Sequence, residues 1–236
     1  MNGGGGQAAV AALVPGAAQL GLRPPASAAA FPASRLADAG WTAELLALRA
    51  AAQGTSDRRV LATVWWYSAS SVLVTPVLAG MVTGVPLSGR LLDLSVAILP
   101  SLVPIAAEAA GPGSGDPSAD LRASLGAAIA AVAEAGRMRE RPLWAIATDS
   151  LADRLLALGR AVGDVPRATA LAAPLADAVG PPLPTPRYED VAGRRFVRRA
   201  SCCLLYRVPG WPLCTACPRR APAERRRLLE DTAARG

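Results

Sequence analysis

The apolar residues of this chain recur mainly at helical spacing, with three or four residues between successive apolar positions. Stretches with this pattern cover residues 41–51, 121–136, 142–162 and 168–179, and near the C-terminus 224–230. Thr42 is of a type that caps helix N-termini, and Pro142 suits a first helical turn. The pattern therefore predicts a mainly helical protein.

One region changes its period. Between Leu91 and Leu99 apolar and polar side chains alternate, which predicts a strand with one buried face. Pro100 and Ser101 interrupt the alternation, and residues 102–105 predict a second strand. The predicted fold class is therefore α+β, mainly helical with a small antiparallel sheet.

A long uncharged stretch from Val60 to Gly89 is flanked by arginines and is long enough to span a bilayer. Several serines and threonines make it polar for its length, and a helix here must contain Pro76 and Gly80. This composition favours a buried core helix over a membrane-spanning one.

Proline-rich and glycine-rich segments predict the domain organisation. Residues 1–38 are predicted to be a flexible Gly/Ala/Pro-rich lead-in, and because the first charge is Arg23 they make a poor secretory signal. The stretch GPPLPTPR contains four prolines and predicts a stiff connector. It separates a mainly helical domain, 39–180, from a cysteine-rich C-terminal segment, 187–236.

The composition excludes several kinds of chemistry. The chain has 236 residues, is 52% hydrophobic and contains neither His nor Lys, so all 25 basic residues are Arg. A hydrophobic core is therefore expected, but a His-based catalytic pair, a His-ligated metal and a Schiff-base lysine are excluded. Any metal must be bound by Cys, Asp or Glu.

The positive charge is concentrated near the C-terminus. The whole chain has a formal net charge of +7, and residues 187–236 alone contain 12 Arg against five acidic residues. Such a segment could bind nucleic acid or anionic lipid, and it could equally surround an anionic cofactor.

All four cysteines lie in this basic segment, in the pattern CC-x10-C-x2-C. In a reducing cytoplasm, clustered cysteines favour metal binding over disulfides, and C-x2-C is a half-site for zinc and iron-sulfur centres alike. Cys202 and Cys203 are neighbours, so both can face one metal site only if the backbone bends there. The turn residues 208–210 would then bring the two half-sites together.

The stretch ASCCLLYRVPGWPLCTACP resembles the C-terminal motif of the FhuF-type ferric-siderophore reductases. The motif consists of an Arg before a CC pair, an aromatic-Arg pair, a Pro-Gly turn and a C-x2-C followed by Pro. The matching positions are Arg199, Cys202, Cys203, Tyr206, Arg207, Pro209, Gly210, Cys214, Cys217 and Pro218.

The resemblance implies a cytoplasmic protein whose four cysteines, Cys202, Cys203, Cys214 and Cys217, ligate a [2Fe-2S] cluster. It further implies that one electron passes to siderophore-bound Fe(III), which releases Fe(II), and that a ferredoxin or a reductase supplies the electron. It implies no nucleic-acid partner and at most a peripheral contact with membranes.

The site residues beyond the cysteines are a hypothesis based on closeness to the cluster. Arg198, Arg199, Arg207 and Trp211 are expected to line or border the docking face for the siderophore. No catalytic acid or base is assigned, because electron transfer to iron does not require one.

Two alternatives explain the same residues. A structural four-cysteine zinc site could stabilise a basic nucleic-acid-binding module. A [2Fe-2S] electron carrier without a siderophore substrate would need the same ligands. The colour and EPR spectrum of the protein distinguish zinc from iron-sulfur, and turnover with ferric siderophores distinguishes the carrier from the reductase.

Overall fold

The computed structural model describes residues 5–113 and 115–235. Its α-helices are α1 (Gly5–Leu13), α2 (Ala39–Gln53), α3 (Arg58–Thr83), α4 (Pro117–Ala135), α5 (Arg141–Val162), α6 (Val165–Ala170), α7 (Ala172–Val179) and α8 (Pro222–Ala234). Its strands are β1 (Ala29–Pro32), β2 (Leu94–Ile98), β3 (Pro104–Ala109), β4 (Tyr188–Val191) and β5 (Arg194–Val197). The predicted fold class, mainly helical with small antiparallel sheets, is confirmed.

Aspartates define where several helices begin. The side chains of Asp38, Asp57, Asp116 and Asp164 accept hydrogen bonds from backbone N–H groups of the first turns of α2, α3, α4 and α6. Thr42, the predicted cap of α2, is not the cap, because the helix begins earlier at Asp38 and Thr42 is buried within it.

Helix α3 is the centre of the core. It is the one described helix that is long and apolar enough to cross a membrane, but 78% of its most apolar window is buried inside the fold. It packs along α5, where Ser70 Oγ lies 2.8 Å from Ser150 Oγ and Trp66 Nε1 donates to the Leu143 carbonyl. The predicted buried core helix is therefore confirmed.

The predicted strands pair as β2 and β3, and β1 adds to the other edge of β2, so all neighbours in this three-stranded sheet are antiparallel. The sequence analysis did not predict β1, because the segment AAFP is too short to show alternation. Only Phe31 in it is buried.

The prediction of a flexible lead-in over residues 1–38 is wrong for the part that the structure describes. Val10 and Val14 are buried in the main core, and the Gln7 side chain hydrogen-bonds to the backbone of Leu22, Ala107 and Ala109. Apolar residues at helical spacing in this Gly/Ala-rich helix provide enough burial to hold the segment on the sheet. Residues 1–4 lie outside the described residues.

The C-terminal region begins with the hairpin β4–β5, which pairs Tyr188 with Val197. Val197 forms a small apolar cluster with Ala152 and Leu156 of α5. Helix α8 packs back against β4, with Leu229 buried, and confirms the predicted terminal helix. Residues 198–221 connect this hairpin to α8 and are called the thiol loop below.

Candidate metal centre

The thiol loop contains all four cysteines and has almost no regular structure. After Cys203 the backbone turns at Leu204, which has a φ of 60°, and continues into one turn of 3₁₀ helix at Leu205–Arg207. Gly210, with a φ of 83°, reverses the chain, and the Cys217 N–H donates to the Cys214 carbonyl. The bend predicted at the CC pair is thus formed by a left-handed residue directly after it.

The four thiols are free and meet in two pairs. Cys203 hydrogen-bonds with Cys214, and Cys202 hydrogen-bonds with Cys217. Each pair joins one residue of CC to one of C-x2-C, so the adjacent cysteines point toward different partners. In the described ranges, no group of three or more Cys, Asp or Glu side chains is arranged to hold one metal ion.

The thiols have unequal acidities. The hydrogen bond with Cys214, together with the charge of Arg199, lowers the pKa of Cys203 to about 5. The same hydrogen bond, and then burial, raises the pKa of Cys214, whereas burial is the main cause that raises the pKa of Cys202. A thiolate is the form that binds metal, so the lowered pKa of Cys203 favours its ligand form.

Arg199 is a cation in contact with one of these sulfurs, that of Cys214. Its Nη1 donates to Cys214 Sγ at 3.4 Å, its guanidinium carbon lies 4.5 Å from the centre of the Tyr67 ring, and its Nε is 3.6 Å from Asp149 Oδ2. The side chain is only 8% exposed. Burial lowers the pKa of Arg199, but Tyr67, Asp149 and the thiols outweigh burial and raise it overall. The guanidinium is therefore a permanent charge.

Asp149 connects the thiol loop to the helical region. Its side chain in α5 is 2% exposed and accepts hydrogen bonds from the Ala200 N–H at 2.7 Å, the Ser201 N–H at 3.0 Å and the Ser201 hydroxyl at 2.5 Å. Burial raises the pKa of Asp149, while the bonds from Ser201 and Ala200 and the charge of Arg199 act in the opposite direction.

The predicted docking residues occupy different environments. Arg198 is exposed, Trp211 is 54% exposed, and Arg207 is exposed beside Asp57 at 3.7 Å. Arg199 differs, because its side chain is largely buried between Tyr67 and Asp149 and contacts Cys214 Sγ. The docking role of these four residues stays a prediction.

Three further residues shape this region and were not singled out from the sequence. Arg220 donates to the carbonyls of Cys214 and Leu213 and so holds the C-x2-C turn. Tyr67 and Asp149 come from helices distant in sequence. The one available signal was Asp149 itself, an acidic residue within the otherwise apolar face of 142–162.

The comparisons with known proteins agree with this geometry. Residues 199–219 match the family model described as the FhuF 2Fe-2S C-terminal domain. The thiol loop is similar to a FhuF-type [2Fe-2S] domain over these residues. The predicted recognition and the predicted cofactor, a [2Fe-2S] cluster, are thereby confirmed. A search of curated proteins found no match.

The residues of the thiol loop fit a [2Fe-2S] cluster. Four free thiols within one loop supply the soft donors that iron-sulfur clusters require. Nη2 of Arg199 is buried, and in the described structure it has no hydrogen-bond partner. An unused N–H donor on a buried cation that already contacts Cys214 Sγ suits the sulfur atoms of an anionic cluster.

Proposed function

We propose that this protein is a cytoplasmic ferric-siderophore reductase in which Cys202, Cys203, Cys214 and Cys217 ligate the [2Fe-2S] cluster. The observation that carries the proposal is the FhuF-type match over the segment that contains all four free thiols, with Arg199 in contact with Cys214. The pairing of the thiols suggests that each iron takes one cysteine from CC and one from C-x2-C.

The proposed reaction is a one-electron transfer. A bound [2Fe-2S] cluster exchanges one electron at a time, so a donor of the ferredoxin or reductase class supplies one electron and siderophore-bound Fe(III) accepts it to become Fe(II). Siderophore oxygens are hard donors that hold Fe(III) much more tightly than Fe(II), so reduction releases the metal. No proton transfer at the protein is needed, which agrees with a chain without His.

Residues of the thiol loop provide positive charge beside the thiolates and an exposed surface for the siderophore. Arg199 would neutralise part of the negative charge of the thiolates from the buried side. Arg198, Arg207 and Trp211 stay our candidates for the siderophore docking face, because they are exposed on the same loop as the exposed Cys214. An aromatic side chain beside arginines suits an anionic, oxygen-rich chelate.

The test is a single-turnover experiment without oxygen. The dithionite-reduced, desalted protein is mixed with ferric hydroxamate, catecholate and citrate complexes in the presence of a coloured ferrous chelator. We expect cluster reoxidation and trapped Fe(II) in a one-to-one ratio with at least one class. The Cys203→Ser variant serves as the control for free iron.

Three other outcomes have distinct meanings. A colourless protein with one bound zinc would establish the structural zinc alternative. A cluster that is reoxidised by no ferric chelate but exchanges electrons with ferredoxin would establish the carrier. Salt-sensitive binding to nucleic acid would restore the basic-segment alternative.

A further inference from the structure

The strongest unexplained feature outside the matched segment is the buried carboxylate of Asp149. It lies in the middle of α5, yet its hydrogen bonds and its ion pair go to residues 199–201, immediately before the CC pair. A side chain that is 2% exposed in an apolar helix face costs free energy unless its partners compensate for desolvation. These partners belong to the thiol loop, so the Asp149 carboxylate orients that loop.

Arg199 is held from two directions. Asp149 contacts its Nε, and the Tyr67 ring from α3 covers its guanidinium plane at 4.5 Å. The remaining direction faces Cys214 Sγ at 3.4 Å. The helical region therefore determines where this cation points, although the cation itself belongs to the matched segment.

A fixed and buried cation has a larger effect on a cluster than a solvated one. Reduction adds a negative charge to the cluster, and a cation or an N–H donor at the sulfurs stabilises the reduced form and raises the potential. A guanidinium released to solvent would be screened by water and salt and would lose most of this effect.

We propose that Asp149 is a positioning residue through which the helical region sets the reduction potential of the cluster, by holding Arg199 and the backbone of residues 200–201 against the thiolates. The proposal rests on the bound [2Fe-2S] cluster but on no particular electron acceptor. If the wild-type protein does not reduce ferric siderophores, the proposed function is wrong but this inference still stands.

The experiment is an EPR-monitored redox titration of the cluster-loaded protein. Arg199→Gln should make reduction at least tenfold less favourable, which corresponds to a potential lower by about 59 mV. Asp149→Asn should lower the potential in the same direction, because Arg199 loses its anchor. In the Arg199→Gln background, Asp149→Asn should not lower it further. Equal downward shifts in both backgrounds would overturn the proposal.

Asp153→Asn is the matched control. Asp153 is also an acid of α5, one turn further along and partly buried, and it accepts a hydrogen bond from Tyr67 rather than from residues 199–201. Removing its negative charge should leave the potential unchanged or raise it. A potential that rises in Asp149→Asn as well would show that Asp149 acts only through its charge, and the positioning role would be refuted.

Ser201→Ala covers the case in which Asp149→Asn does not retain a cluster. This variant removes one hydrogen bond to Asp149 without changing any charge. We expect a smaller decrease of potential that disappears in the Arg199→Gln background, and Asp149→Glu should partly restore the value. An unchanged potential in Ser201→Ala, together with unchanged EPR g-values, would contradict the inference.

Discussion

The helical region and the thiol loop are stabilised in different ways. In the helical region, α3, α4 and α5 bury long apolar faces against one another and against the sheet. In the thiol loop only Ser201, Val208 and Cys217 are buried. The loop depends instead on hydrogen bonds to Asp149 and on an exposed ion pair with Asp57.

This difference indicates that the thiol loop is not stable by itself. A loop with so little apolar burial cannot offset the conformational entropy of its own ordering. The cluster and the rigid helices must supply what the loop lacks. A metal site of this kind is therefore expected to be stable only as part of the whole chain with its cofactor.

The largest effect should come from removing a cluster ligand. Cys203→Ser replaces the most acidic thiol of the loop, so we expect loss of the visible absorbance and of the EPR signal of the reduced protein. The fold of the helical region, followed by far-UV circular dichroism, should not change.

Thr215→Ala is the control for the ligand variant, since Thr215 is exposed between Cys214 and Cys217. It should retain the full spectrum. An intact cluster spectrum in Cys203→Ser would remove this residue from the ligand set and with it the proposed pairing.

A truncation in the core should lower the stability of the helical region. Leu155→Ala in α5 leaves a cavity at a fully buried position, and we expect it to lower the free energy of unfolding by about 2–5 kcal/mol. Denaturant unfolding followed by circular dichroism measures this loss. Leu48→Ala, at a position that is 71% exposed, should change it by less than about 0.5 kcal/mol. Similar losses for both leucines would mean that α5 is not packed as described.

Removal of the cluster should loosen the thiol loop alone. Without the metal, we expect faster backbone hydrogen exchange over residues 202–218, measured by mass spectrometry, because few buried contacts remain there. Peptides from α3 and α4 should keep their protection. Equal loss of protection in the helices would show that the two regions unfold as one unit.

A much smaller effect on stability than that of the core truncation should come from Arg207→Gln. The ion pair of Arg207 with Asp57 is about half exposed on both sides, so its loss should cost less than about 1 kcal/mol. The rate of cluster reoxidation by an anionic ferric chelate should nevertheless fall, and its dependence on ionic strength should weaken. An unchanged rate and salt dependence would place the docking surface elsewhere. Arg139→Gln, at an exposed position in the loop before α5, is the charge-matched control.

Most of the helices and two of the strands could be predicted because their periodicity is local. The apolar faces of 121–136 and 142–162 correspond to α4 and α5, and the alternation after Leu91 corresponds to β2. Helix α1, strand β1 and the hairpin β4–β5 were missed, because each is short and is defined by partners far away in sequence.

In the candidate site, too, local features could be predicted and long-range contacts could not. The sequence alone determined the four thiols, their spacing and the cation before them, since these are covalent neighbours whose chemistry does not depend on the remainder of the fold. Only the tertiary structure decided that Arg199 is buried, that Tyr67 and Asp149 enclose it, and that the thiols meet as two pairs. These contacts join α3, α5 and the thiol loop across 50 or more positions, and no local pattern encodes a hydrogen bond over such a separation.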